Sequence, residues 1–419
     1  MGMGYVGYPL AVSFAEAGFE VVGFDVDKDT VNTVNEGDLP VEESDGDGAA
    51  ELVEGGFLRA TDNMEELSKV DAISICVPTP LRKSRDPDIS YVAQATDTIT
   101  DYFEPPGLIT LESTTYPGTT EEILAEAFQD QGWNLEDDVL IAFSPERVDP
   151  GNEDFGIRNT PKVLGGYNST ATDVVSRLYG AVIEEVVTVS STRTAEMVKL
   201  LENTFRSVNI GLANEMALLC DRMNIDVWEV IDAAKTKPYG FMPFYPGPGL
   251  GGHCIPIDPL FLSWKAKLFN TNSRFIELAD EVNRNMPTHV FRKITRGLNK
   301  VQQSVNGSKI CLFGVAYKPD VGDTRESPAK EIILELIDNG ADVEFCDPHV
   351  DELKIEGEII PSVSMDSVNS EDYDASVIVT DHGEFNWSEL FGGGENVIID
   401  TRNALPDSLS LPNAIVETI

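Results

Sequence analysis

The apolar positions change their period along the chain, and the changes mark out its parts. Short runs of β-branched and aliphatic residues at 21–24, 72–77, 108–111, 139–143 and 186–189 alternate with stretches of helical periodicity. That is the pattern of a parallel sheet with helices on its faces. Ser190, Ser191 and Thr192 form a sequence able to cap a helix, and residues 194–224 then run without proline and with one glycine. A continuous helix there is roughly 45 Å long at about 1.5 Å per residue, enough to connect two domains. Residues 239–259 are rich in Gly and Pro and predict a structured loop or linker. After a helical region at 274–299 the alternation restarts, with strands expected at 309–315, 343–346, 377–380 and 397–399 and a helix at 329–339. The expected fold is α/β: Rossmann-like parallel-sheet domains at 1–190 and 301–419, joined by a long central helix within a helical middle domain at 191–300.

Composition narrows the function classes. A chain of 419 residues with 42% hydrophobic content supplies two or three cores. The first residues do not have the basic-then-apolar pattern of a secretion signal, and no apolar run is long enough to span a bilayer. Cys76, Cys220, Cys254, Cys311 and Cys346 are scattered, without CxxC or Cys/His metal spacing, so reduced thiols in a cytoplasm are expected and no metal site is. The 72 acidic against 30 basic residues give a formal charge of -42, a field that disfavours nucleic acid and anionic membranes as partners. It also repels an anionic nucleotide at long range, unless salt near 1 M shortens the screening length to about 3 Å. A salt-rich, halophilic cytosol resolves that conflict. The acids are spread along the patterned chain, with only a short acidic loop expected at 42–47.

Candidate chemistry begins at the N-terminus. Gly2, Gly4 and Gly7 form GxGxxG, followed by a helical stretch and a strand ending at Asp25. Such glycines permit a tight turn and close approach of a pyrophosphate to a helix N-terminus. An acid about 20 residues beyond suits a ribose diol and repels a 2′-phosphate, which favours NAD over NADP. Lys199 and Asn203, at i and i+4, share one face of the long helix, although alone they read as a solvated face. Cys254 lies in GLGGHC (249–254), where Gly251 and Gly252 leave room for a substrate at the sulfur; alone it reads as a small buried hydrophobe. His253 is expected to shape the loop.

GMGYVG (2–7), VPTP (77–80), ESTTYPGTTEE (112–122), FSPERVDPGN (143–152), EMVKLLENTFR (196–206), GPGLGGHCIPIDP (247–259) and FGVAYKPDVGDTRESP (313–328) together resemble the UDP-glucose/GDP-mannose dehydrogenase family, in order and over nearly the whole chain. SPERVDPGN and GGHCIPIDP resemble the branch acting on UDP-N-acetylglucosamine or related UDP-N-acetylhexosamines. The resemblance implies a four-electron oxidation of the sugar C6 alcohol to a carboxylate through a thiohemiacetal and a thioester on Cys254. It assigns oxyanion stabilisation to Lys199 and Asn203, a catalytic water to Asp258 and Thr114, and thioester hydrolysis to Glu146. It places Gly2, Gly4, Tyr5, Val6, Gly7, Asp25, Pro78 and Thr79 around NAD, and Arg147, Gly251, Gly252, Lys318 and Arg325 around the UDP-sugar. It also implies a homodimer built on the long helix and a role in nucleotide-sugar metabolism for polysaccharide synthesis.

Family members carry a strand before the glycine motif, whereas here the motif begins at Gly2. The expectation is a sheet split where that strand belongs, with about 6–10 upstream residues in a strand pattern raising stability and NAD affinity. Alternatives left open are a UDP-glucose 6-dehydrogenase, a two-electron 3-hydroxyacid dehydrogenase, and an inactive nucleotide-binding fragment.

Overall fold

The computed structural model describes residues 1–40, 49–148, 154–252, 254–392 and 397–419. The acidic segment at 42–47, the end of FSPERVDPGN and His253 lie outside the described residues. The chain forms two compact units, Met1–Glu202 with Leu260–Asn272, and Asn203–Pro259 with Ser273–Ile419.

In the first unit the strands are β1 (Val21–Phe24), β2 (Leu58–Thr61), β3 (Ala72–Ile75), β4 (Gly107–Leu111), β5 (Val139–Phe143), β6 (Lys162–Gly166) and β7 (Val186–Val189). One sheet runs β3-β4-β5-β6-β7, while β1 and β2 form a separate parallel pair. The division falls where a first strand was expected to be missing. Met1 and Gly2 reach both sides of it: the Gly2 N–H donates to Phe24, the Met1 amine to Ser74, and the Met1 carbonyl accepts from Cys76.

Helices cover both faces of the larger sheet. Leu10 and Phe14 of the helix Gly7–Glu16 and Val175 and Tyr179 of Ser169–Tyr179 pack on Leu108, Ala142 and Leu164. Val92, Ala95 and Ile99 of the helix Ser90–Tyr102 pack on Ile109, Leu111 and Ile141. Burial on both faces is why β4 and β5 read as continuous apolar runs. The pair β5–β6 is antiparallel, while the other pairs of this sheet are parallel as expected. The described part of the connection between them contains no helix, so no βαβ crossover returns the chain to a parallel start.

The second unit contains β8 (Lys309–Phe313), β9 (Asp342–Cys346), β10 (Glu352–Ile355), β11 (Glu358–Pro361), β12 (Ala375–Ile378), β13 (Val397–Asp400) and β14 (Ile415–Thr418). Its main sheet, β14-β13-β12-β8-β9, is parallel throughout. The helix Pro328–Asp338 starts with Pro at its first turn and with the Ser327 hydroxyl accepting from the Ala329 N–H, a well-formed N-terminus. Its Ile332 and Leu336 join Val290, Ile294 and Leu298 of Met286–Lys300 on one face of the sheet, and Phe313, Trp387 and Phe391 fill the other. The long helix Thr192–Met223 runs for 32 residues, roughly 48 Å at about 1.5 Å per residue. Among the described residues no helix is long and apolar enough to cross a membrane.

Candidate active site

The glycine loop of the first unit is built by exclusion of side chains. Gly2 has φ +87°, and a Cβ on it would lie 2.7 Å from the Cys76 carbonyl oxygen; a Cβ on Gly7 would lie 1.8 Å from the Gly2 carbonyl oxygen. A Cβ on Gly4 would meet nothing within 4 Å, so the loop is open to a ligand at that point. No side chain caps the helix Gly7–Glu16 that follows, which fits a pyrophosphate on its N-terminal N–H groups. Asp25 ends β1. Its Oδ2 accepts from the Met3 N–H at 2.7 Å and its Oδ1 from the Asp27 N–H at 3.0 Å, leaving a lone pair on each oxygen for a ribose hydroxyl. Tyr5 and Pro78 are exposed and Thr79 is buried. These residues fit the expected cofactor. NADP+ is expected to give a kcat/KM at least about tenfold below that of NAD+, because a 2′-phosphate would face the Asp25 carboxylate. Equal steady-state rates with both would remove Asp25 from that role.

The loop after β4 is fastened to the long helix. Buried Glu196 accepts from the Thr120 N–H at 2.9 Å, from the Thr120 hydroxyl at 2.7 Å and from the Gly118 N–H, which fixes the segment following Thr114 one turn before Lys199. Glu146, after β5, lies against Lys162 of β6, with Nζ 3.1 Å from Oε2. Burial works to raise the Glu146 carboxyl. The Lys162 ammonium, the Val148 N–H and the charge of Lys199 outweigh it and hold the group below the usual carboxylate range. Lys199 is itself buried. Arg147 donates to Glu202 through Nη2 at 2.7 Å and Nε at 3.3 Å, and through Nη1 to the Pro161 carbonyl.

In the second unit, Asn203 of the long helix donates to Asp258 Oδ2 at 2.5 Å, and both side chains are buried. The Asp258 N–H donates in turn to the Cys254 carbonyl at 2.9 Å, so the turn entering the helix Asp258–Leu268 closes on Cys254. Cys254 is exposed. Gly251 and Gly252 are needed for packing: an added Cβ would lie 2.6 Å from Tyr317 Cβ and 2.8 Å from its ring, respectively. The Gly252 N–H also donates to the Arg325 carbonyl at 3.0 Å. The cysteine loop is thereby pinned to the segment after β8 that carries Lys318 and Arg325. Arg325 pairs with Asp323, its Nε 2.9 Å from either carboxylate oxygen.

The same segment is held from below by Asp347, at the end of β9, whose Oδ2 accepts from the N–H groups of Val315 at 2.6 Å and Ala316 at 3.2 Å. Among the described residues, Asp320, His349, His382 and Glu384 bring potential ligand atoms within 4.8 Å of one another. His382 is committed elsewhere: Nδ1 accepts from the Asp320 N–H at 3.0 Å, which leaves the proton on Nε2 to donate to Asp347 at 3.1 Å.

Of the residues expected from sequence, Thr114, Glu146 and Lys199 therefore belong to the first unit, where Lys199 acts on Glu146, and the bonded Asn203, Asp258 and Cys254 to the second. Sequence reasoning missed Glu112, Lys162 and Tyr179, which form a buried polar group with Glu146. A charged residue opening the apolar run KVLGG was the available signal.

An open glycine loop at a helix N-terminus, an acid after the next strand and a second α/β unit beyond a cysteine loop define an NAD-dependent oxidoreductase of two Rossmann-like halves. The chain belongs to the UDP-glucose/GDP-mannose dehydrogenase family: the family's NAD binding domain matches residues 1–183, its central domain 193–285 and its UDP binding domain 311–407. It is 36% identical to a UDP-N-acetyl-D-mannosamine dehydrogenase of Methanococcus maripaludis, over 98% of this chain and 93% of that protein. It also resembles the structure of the UDP-D-ManNAc dehydrogenase of Pyrococcus horikoshii, with TM-score 0.91, 34% identity, and coverage of 100% of this chain and 97% of the other. The NDP-N-acetyl-D-galactosaminuronic acid dehydrogenase of Methanosarcina mazei superposes with TM-score 0.84 at 28% identity, covering 100% and 94%.

Proposed function

We propose that this protein oxidises the C6 alcohol of a UDP-N-acetylhexosamine, with UDP-N-acetylmannosamine the first candidate, to the UDP-uronate. The observation that carries the reading is the exposed Cys254, at a helix-entering turn closed by Asp258, with Asp258 itself bound to Asn203. The relatives' substrates support the N-acetylhexosamine.

NAD, when bound, supplies the two-electron acceptor for each oxidation. The chain's own groups do the rest. The Cys254 thiolate adds to the C6 aldehyde carbonyl, and the Lys199 ammonium and Asn203 amide stabilise the oxygen that becomes negative. Asp258, with Thr114, orders the water, and Glu146 assists its attack on the thioester. Lys318 and Arg325 meet the diphosphate, with Arg147 a further candidate; both guanidinium groups already pair with a carboxylate, Arg325 with Asp323 and Arg147 with Glu202. Functionally, residues 1–190 hold NAD, 191–300 carry the catalytic helix and self-association, and 301–419 hold the UDP-sugar. Met197, Leu201, Phe205, Leu212, Met216, Leu219 and Met223 leave an exposed apolar stripe at helical spacing on the long helix, which supports a homodimer. The free cysteines and the charge of -42 support work in a salt-rich cytoplasm.

The test is stoichiometric. Each UDP-N-acetylmannosamine consumed is expected to yield two NADH, read by absorbance against uronate by chromatography. One NADH with free aldehyde would instead establish a two-electron dehydrogenase, and no turnover across a panel of UDP-sugars an inactive nucleotide-binding protein.

A further inference from the structure

The polar group beneath Glu146 has no assigned role. Lys162 Nζ lies 2.8 Å from Glu112 Oε2 and 3.1 Å from Glu146 Oε2. The Tyr179 hydroxyl donates to the other oxygen of Glu112 and lies 3.1 Å from the Ser74 hydroxyl. Lys162 is 4% exposed, Glu112 1% and Tyr179 not at all, so three ionisable groups are buried together inside the first unit. Apolar residues at these positions would fill the core without desolvating charge, so the group's presence asks for a function.

Its geometry supplies one. Glu146 Oε1 accepts from the N–H groups of Arg147 at 2.8 Å and Val148 at 2.7 Å, which occupies both of its lone pairs. Oε2 accepts from Lys162, which leaves one lone pair on one oxygen of the carboxylate. Lys162 also bonds Glu112, and Tyr179 bonds the other oxygen of Glu112, so the ammonium is held in place from the residue that follows β4 and, through it, from the helix Ser169–Tyr179. We propose that Lys162 is a positioning residue for thioester hydrolysis. It keeps the Glu146 carboxylate ionised and aimed, so that only the remaining lone pair of Oε2 is presented to the attacking water.

This rests on the proposed role of Glu146. In the step concerned, the water oxygen bonds to the thioester carbon while Glu146 Oε2 takes one water proton. The C–S bond then breaks, the sulfur leaves with its electron pair, and the proton returns from Glu146 to the Cys254 thiolate. The products are the uronic acid and free Cys254. No oxidant is consumed.

The titratable groups facing Glu146 and Lys162 are Glu112, Lys199, the Cys76 thiol and the Tyr179 hydroxyl behind Glu112, the last two held neutral by burial. With Lys162 removed, burial pushes Glu146 upward against only Lys199 and the backbone, so protonation disables it at a higher pH. The acidic limb of the kcat profile therefore moves up.

The experiment compares Lys162→Met, Lys162→Arg and Glu146→Gln in full-length enzyme with NAD+ and UDP-N-acetylmannosamine. Lys162→Met is expected to lower kcat by about 100-fold, within the range for general base catalysis. It should still release both NADH in the first turnover, accumulate a covalent acyl adduct on Cys254 in intact-mass spectra, and shift the acidic limb upward. Lys162→Arg restores turnover. The proposal is overturned if Lys162→Met turns over like wild type, or slows the NADH burst with no adduct, while Glu146→Gln does accumulate one. If Glu146→Gln accumulates none, the role of Glu146 itself fails. Should Lys162→Met lose its cooperative melting, Glu112→Gln/Lys162→Met, which removes both buried charges, is read by the same adduct and the same limb.

Discussion

Cys254→Ser enzyme is expected to make uronate at least about 1,000-fold more slowly than the parent while binding NAD unchanged. A serine hydroxyl is not ionised at neutral pH, whereas a cysteine thiol yields a measurable thiolate fraction and is the stronger nucleophile. If the hydroxyl does add to the aldehyde, the second oxidation leaves an ester, whose alkoxide leaving group departs far less readily than a thiolate. Both halves of the covalent sequence therefore suffer. The loop should not: Gly251 and Gly252 against Tyr317, and the Asp258 N–H on the residue 254 carbonyl, do not involve the sulfur. Uronate by chromatography and NADH in a single turnover measure the loss, and an unchanged melting temperature assigns it to chemistry. Parent-like uronate production by this variant would end the covalent reading.

The sequence pattern exposed strands through their unbroken apolar or β-branched runs, and two-sided burial explains that run only for a central strand such as β5. β1, β5 and β7 fall on the expected residues, although β7 is an edge strand with no buried residue. β6 was hidden because it opens with Lys162 and closes with two glycines, which read as a break. A Cβ on Gly165 would lie 2.2 Å from the Ser191 carbonyl oxygen, so a close approach of backbone, not a turn, demands that residue. The hairpin β10–β11 was hidden for a related reason: Glu356 and Gly357 both take positive φ, 49° and 93°, and glutamate is an unusual first residue for such a turn. In the site, local motifs pointed to Cys254, Asp258 and Glu146, but not to what each touches. Asn203 bonds Asp258 across 55 residues, and Lys162 bonds Glu112 across 50, pairings that no local spacing encodes. Arg147 shows the converse. Its charge suggested a diphosphate, yet Glu202 on the long helix takes its guanidinium.

The two α/β units also solve one problem with the same device. In each, an acid just after a strand reaches back to the loop before the preceding helix: Asp25, after β1, accepts from the Met3 N–H, and Asp347, after β9, from those of Val315 and Ala316. Asp25 remains half-buried with lone pairs to share. Asp347 is buried under His382, where burial tends to raise its carboxyl but the imidazole and backbone N–H groups hold it low. One acid stays available to a ribose, and the other serves to brace a loop.

That difference makes the first glycine loop the place where small substitutions separate folding from ligand binding. Gly7→Ala is expected to weaken NAD at least about tenfold and to lower the melting temperature, since its Cβ would sit 1.8 Å from the Gly2 carbonyl oxygen. No side-chain rotation relieves a clash with backbone, so the loop or the helix must move; overpacking of this kind costs about 1–3 kcal/mol and sometimes more. Gly4→Ala meets nothing within 4 Å, and Gly4 does not need a positive φ, so the melting temperature should stay within about a degree. Its methyl group occupies the open side of the loop, where a pyrophosphate approaches, and NAD binding should still fall. Calorimetric titration with NAD+ and thermal melting of both variants check the pair. Gly4→Ala binding NAD like the parent would show that the cofactor does not approach over Gly4, whatever the fate of Gly7→Ala.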